Sequence, residues 1–278
     1  MNGGNLDKID LELEFQIKNG MLNIILDNTY MTVKARQNAI MIGKCYSYEV
    51  ICIYLDTSMK NAQFNAVSRM IKRYGKLFKN NQDYKNYSDP NMFPPAVLFK
   101  ARKIFEVPTL TEGFDKIIIE KFVRQKNNYT NKAVIFDIDN TIRKTKSGNI
   151  YPIDINDIEI LPGRTEKIKE YRDKNYIILG ASNQSGIAKG LLTYEQAIAC
   201  FKKTTELLGI DFDISFFSHS IPPVICYCRK PGVGMGVEFI EKYKLDPEQC
   251  IMVGDMTSDK TFATRCGFKY IEADKFFI

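Results

Sequence analysis

The stretch "AVIFDIDNTIR", Ala133–Arg143, decides how the rest of the chain is read. Four apolar residues run into Asp137 and Asp139, which flank a single isoleucine, and Thr141 follows two places later. Side chains on a strand alternate, so two carboxylates spaced by two face the same way where a buried strand ends. A lone aspartate there is ordinarily a turn former, so the stretch gains meaning only if other segments bring matching chemistry to the same rim.

Further apolar runs follow: "YIILGAS", "FDISFFS", "CIMVGD" and "FKYIEA". Between them, helical patterns are expected near 163–174, 193–208, 233–244 and 258–266. Thr193 and Gln196 spell a capping box, and Gly209 stands where that helix should stop. This alternation predicts an α/β fold with a parallel sheet covered by helices, and ligands then bind beyond the carboxyl ends of the strands. Polar residues follow each run: Ser182 and Asn183 in "ASNQSG", Lys230 in "CRKPGVGM", Asp255 and Asp259 in "VGDMTSD".

Together these groups suit phosphate-ester hydrolysis. Asp137 can attack phosphorus and form an aspartyl phosphate. Asp139 can protonate the leaving oxygen and then activate water. Asp137 and Asp255 can hold Mg²⁺, which favours oxygen ligands. Ser182 can hydrogen-bond phosphate, and Lys230 can neutralise its charge. Four acidic side chains gathered without a cation would repel, which itself implies the metal.

The segments "DIDNT", "SNQSG", "RKPGVGM" and "GDMTSD" resemble the four motifs of the haloacid dehalogenase superfamily, over about residues 130–278. The resemblance implies Asp137 as nucleophile and Asp139 as acid/base, its backbone carbonyl completing the metal site. It also implies Thr141, Ser182, Asn183 and Lys230 around the phosphate, and Asp255 and Asp259 serving the metal. Asn140 departs from the glycine common at that place. Neither gap between motifs has room for a cap domain, so the site should be open, with a flap from "RKTKSGNIYPIDIND" at most.

Two capless subfamilies compete. "SNQSGIAKG" and "CYCRKPGVGM" resemble phosphatases of heptose bisphosphate or histidinol phosphate. Many of those carry a structural zinc; here His219, Cys226 and Cys228 supply three candidates where a closed zinc site takes four, so packed thiols are the stronger expectation. The other subfamily is the polynucleotide 3′-phosphatases. "MLNIILDNTYMTVKARQNAI", "VICIYLDTSMKNAQFNAVSRM" and "KIFEVPTLTEGFDKI" resemble the later part of a polynucleotide 5′-kinase domain, with Asp27 and Asn28 ending a strand and Arg69 as a lid arginine. No P-loop accompanies them: in "IGKCYS", Asn38 replaces the first glycine and Cys45 the hydroxyl residue. Kinase activity should therefore be lost, either through decay of the lobe or because the gene begins upstream.

The chain is thus expected to comprise residues 1–127, an incomplete kinase-like lobe, and residues 128–278, a phosphatase domain. The first reading is a Mg²⁺-dependent polynucleotide 3′-phosphatase that processes nucleic-acid ends in repair and has 3′-phosphate ends as its partners. The alternatives are a small-molecule phosphatase and a non-catalytic end-binding scaffold, against which the intact aspartates argue. Charge is compatible with a polyanion partner: up to Thr130 there are nineteen Lys/Arg against thirteen Asp/Glu, and twenty of each thereafter. With no long apolar run and no signal-like N-terminus, an intracellular protein, cytoplasmic or nuclear, is expected, its seven cysteines mostly buried thiols.

Overall fold

The computed structural model describes residues 5–217 and 226–278. Two compact units emerge: residues 1–62 with 84–124, and residues 63–83 with 125–278.

In the first unit, strands β1 (Ile51–Asp56) and β2 (Lys116–Lys121) pair in parallel. The helices Leu6–Lys18 and Val33–Cys45 bury Leu13, Ile17 and Ile42 together. Arg36 explains why "EVPTLTEGF" matters locally. Its guanidinium donates to both Glu112 oxygens at 2.7 and 2.9 Å and to the carbonyls of Tyr30 and Glu106. Glu106 in turn accepts from Val33 N at the start of the same helix. Both members of the Arg36–Glu112 pair are only 5% exposed at the side chain.

That pair sets an acid limit. The hydrogen bond from Arg36 leads the causes that hold Glu112 below its ordinary 4.5. A carboxylate lowered on folding stabilises above its unfolded pKa, and the gain is lost as pH falls through the folded value. The stability this pair contributes should therefore decline as pH falls below the ordinary glutamate value of 4.5. Glu112→Gln should cost about 3 kcal/mol at pH 7 by leaving a buried guanidinium uncompensated, and should flatten the acid limb of the profile.

The first unit also corrects one expectation. Residues 22–29 do not form a strand: among the described residues the β1–β2 ladder does not extend to the "LNIILDNT" segment, whose Leu22 and Ile25 are 83% and 91% exposed. Gly43 and Lys44 lie inside the helix Val33–Cys45, where Lys44 pairs with Asp115, so they form no phosphate loop.

In the second unit, strands β3 (Ala133–Phe136), β6 (Ile177–Asn183), β7 (Asp213–Phe217), β8 (Ile251–Gly254) and β9 (Lys269–Glu272) make one parallel sheet, ordered β7-β6-β3-β8-β9. A small antiparallel hairpin, β4 (Arg143–Thr145) with β5 (Ile158–Ile160), occupies the segment expected to be a flap. The helices Arg164–Asp173, Tyr194–Leu208, Gly234–Tyr243 and Thr257–Cys266 fall where the alternating pattern put them. The capping box at Thr193 forms, and Gly209 ends its helix at φ 62°. Strand β3 is completely buried and lies between β6 and β8, so the chain leaves it in opposite directions and opens a crevice beyond its end. Among the described residues no cap domain interrupts the motifs.

The expected boundary at 127/128 is displaced in one respect. Residues 63–83 pack with the phosphatase unit, because one face of the helix Met59–Tyr74 buries Phe64, Val67 and Met70 and the turn after it buries Leu77 and Phe78. A Cβ added at Gly234 would lie 2.8 Å from Leu77 Cδ2, which shows how tightly that turn abuts the loop ahead of the helix Gly234–Tyr243.

Candidate active site

The end of β3 positions the opening motif. Asp137 N donates to Val253 O at 2.8 Å, extending the ladder by one residue beyond Phe136, and the chain then turns. Asn140 takes up that turn with φ 62°, a left-handed conformation that asparagine tolerates, so the replaced glycine costs the loop little.

Asp137 is 8% exposed and Lys230 3%. Lys230 Nζ lies 2.6 Å from Asp137 Oδ1 and 2.7 Å from Asp259 Oδ1. Asp137, Asp255 and Asp259 each offer an oxygen, all within 4.8 Å of one another. Burial raises the Asp137 carboxyl to about 7; Lys230 opposes this, and Asp259 and Asp139 add to it. Burial would lower the Lys230 ammonium, but Asp137 and Asp259 outweigh it and leave it raised. Burial likewise raises Asp255. Three hard carboxylates face one ammonium, so the donor set fits Mg²⁺: Asp137, Asp255 and Asp259 would hold it, and its charge would favour the ionised Asp137 that burial, and then the neighbouring carboxylates, disfavour.

Asp139 is held apart from that cluster. Arg143 Nε donates to its Oδ1 at 2.8 Å and Gln184 Nε2 to its Oδ2 at 2.8 Å. Arg143 is itself 1% exposed, donates to Cys200 O and Thr204 Oγ1, and stacks on Phe201. Sequence reading missed both partners. Gln184 was within reach of the alternation rule, since it stands two residues after Ser182 and donates to that hydroxyl at 3.0 Å. Nothing in "TIRKT" marks a buried arginine.

Two expected phosphate ligands have other work in this arrangement. Asn183 is engaged by the backbone of Lys230, donating to its carbonyl at 3.0 Å and accepting from its N–H at 2.9 Å, so it fixes the lysine loop. Thr141 is fully buried and its hydroxyl faces Asp255 at 3.4 Å. Ser182 is brought to the same rim, 2% exposed. Beyond β8, Gly254 leaves room for Asp259, whose Oδ2 would lie 2.5 Å from an added Cβ. Of the zinc candidates, Cys226 and Cys228 lie buried with their sulfurs against each other, and His219 lies outside the described residues.

A parallel sheet whose central strand ends in a buried aspartate, with a buried lysine and a carboxylate cluster at its carboxyl end, defines a phosphatase of the haloacid dehalogenase type. A family model described as polynucleotide kinase 3 phosphatase matches residues 132–277, and the chain belongs to that family. Among its relatives is the "D-glycero-beta-D-manno-heptose-1,7-bisphosphate 7-phosphatase" of Haemophilus ducreyi, 32% identical over 152 residues, covering 50% of this chain and 80% of that one. A protein of the same name from Haemophilus influenzae is 32% identical over 142 residues, covering 46% and 73%. Among solved structures, a D,D-heptose 1,7-bisphosphate phosphatase from B. bronchiseptica, complexed with magnesium and phosphate, aligns at a TM-score of 0.45 with 25% identity, covering 51% of this chain and 79% of that one. Among the described residues no helix is long and apolar enough to cross a membrane.

Proposed function

We propose that the chain hydrolyses phosphate monoesters through an aspartyl phosphate on Asp137. The observation that carries this is Asp137 at the end of the central strand, 2.6 Å from a buried Lys230 and grouped with Asp255 and Asp259. Lys230 and Ser182 bind the phosphoryl oxygens. Asp137 Oδ attacks phosphorus as the ester oxygen leaves, and Asp139 gives that oxygen a proton. Asp139 then takes a proton from water as it attacks the aspartyl phosphate, regenerating Asp137 and releasing phosphate. Arg143 and Gln184 keep Asp139 aimed throughout. Bound Mg²⁺ would supply charge neutralisation for the transferring phosphoryl group and for the clustered carboxylates.

Two substrate classes have support. The relatives named for heptose bisphosphate favour a small sugar-phosphate type ester, the alternative in the sequence reading. The family model and the basic excess of the first part of the chain favour a polynucleotide 3′-phosphate. On the second reading the first unit corresponds to the later part of a kinase-like lobe, as "EVPTLTEGF" suggests.

One assay ranks the two: phosphate release from heptose bisphosphate, histidinol phosphate and a 3′-phosphorylated oligonucleotide at equal concentration, with Mg²⁺ or with EDTA. Turnover of at least one ester that EDTA abolishes is expected. A preference of tenfold or more in kcat/KM assigns the class, and absence of turnover on all three would overturn the phosphatase reading.

A further inference from the structure

The charge of the chain is concentrated in one segment. Between Asp56 and Asp83 there are six Lys/Arg (Lys60, Arg69, Lys72, Arg73, Lys76, Lys79) and no acidic residue, which equals the net charge of +6 for the whole sequence. All six are exposed, while Phe64, Val67 and Met70 on the other face of the helix are buried. Residues 63–83 belong to the phosphatase unit, so most of this charge is fixed to the body that holds the chemistry. The fixing is specific: Glu241 accepts from Ser68 at 3.3 Å and from Tyr129 at 2.8 Å, and lies 3.5 Å from Lys72 Nζ.

On this helix Asn65, Ser68, Arg69, Lys72 and Arg73 line a concavity of about 460 Å³. Residues at i, i+3, i+4, i+7 and i+8 share one helix face, so the three cations and two neutral hydrogen-bonding groups form a single strip. Strips mixing Arg and Lys with Ser and Asn suit phosphodiester backbones, whose oxygens accept from both kinds of donor. The three cations fall within little more than one turn, and with Ser68 and Asn65 the strip runs about 12 Å along the helix, longer than a single small phosphate ester.

We infer that this strip is a nucleic-acid backbone site on the phosphatase unit, holding a single strand by its phosphates. The inference rests on the polynucleotide reading above and gives it a surface. An acidic protein segment would be attracted as well; the polynucleotide reading favours the strand, and the competition below separates the two.

The test is fluorescence anisotropy with a labelled single-stranded oligonucleotide ending in a 3′-hydroxyl, which gives the catalytic site no phosphate ester to act on. The full chain should bind it with an affinity that falls as salt rises. The double variant Lys72→Gln, Arg73→Gln should bind about tenfold more weakly and lower the slope of log K against log salt by about 1.4, two contacts at about 0.7 each. Its hydrolysis of p-nitrophenyl phosphate should match wild type, which reports an intact fold. The control Lys169→Gln, Lys174→Gln removes the same charge from elsewhere on this unit and should leave the affinity unchanged.

Equal loss in the control, or unchanged affinity in the first variant, would overturn the site. Displacement by a poly-glutamate of equal charge as readily as by unlabelled oligonucleotide would overturn the choice of nucleic acid. Turnover of the 3′-phosphorylated strand by wild type is a separate readout: its absence would remove the polynucleotide reading whatever the binding result.

Discussion

Asp137→Asn should reduce turnover of every phosphate ester by roughly 10⁴-fold or more, the scale seen when a covalent nucleophile is removed. The amide is nearly isosteric with the carboxylate but cannot attack phosphorus. The stability outcome separates this loss from misfolding. Burial raises Asp137 to about 7, so its ionised form is disfavoured in the folded chain. A carboxyl raised on folding costs stability as pH climbs from its ordinary value, 3.8, towards 7. Replacing it with a neutral amide removes that cost. The metal-free variant should therefore melt at the same temperature as wild type or higher at pH 7.5, while initial-rate assays with Mg²⁺ read background. A variant that retains more than a hundredth of wild-type turnover would displace Asp137 as the nucleophile.

The parallel sheet was legible in the sequence because every strand is a short apolar run closed by a polar group, and because helices between strands leave a capping signal as clear as Thr193–Gln196. Grouping of Asp137 with Asp255 follows from the same logic, since parallel strands β3 and β8 carry the residues after them to one rim. Lys230, in the loop before the helix Gly234–Tyr243, and Asp259, inside the helix Thr257–Cys266, were legible only through their motifs. What stayed hidden depends on contacts across the chain. Arg143 reaches Asp139 and the helix Tyr194–Leu208 at once, and no local pattern reports a bond spanning 61 residues. Thr141 and Asn183 are motif residues whose partners turned out to be Asp255 and the Lys230 backbone. The segment at 22–29 has strand composition but gains no neighbour, so propensity alone did not make it a strand. The helix Met59–Tyr74 follows β1 in sequence yet gives most of its apolar face to the phosphatase unit, a preference decided by packing at Leu77, Phe78 and Gly234.

Lys230→Ala should lower kcat/KM by about 10²- to 10³-fold, the usual cost of removing one preorganised group from a developing charge in a buried site. Both terms should change, since the ammonium meets phosphate in the ground state and in the transition state. Lys230→Arg should not restore activity. The side chain is 2% exposed and already within 2.6 and 2.7 Å of two carboxylates, and a planar guanidinium needs more room and a different approach. The decisive measurement pairs these rates with a Mg²⁺ titration. Lys230 is the cation that now compensates Asp137 and Asp259, so its removal leaves those carboxylates more dependent on metal. The alanine variant should require less Mg²⁺ to reach half of its own reduced maximum, and Mg²⁺ should raise its melting temperature more than that of wild type. If Lys230 only braced the loop, its loss would instead resemble that of Asn183, whose side-chain amide, among the described residues, bonds to the Lys230 backbone. Asn183→Ala should then match Lys230→Ala in both rate and metal response. A large rate loss with a lowered Mg²⁺ requirement in the lysine variant, and neither in the asparagine variant, would assign the charge itself to the chemistry.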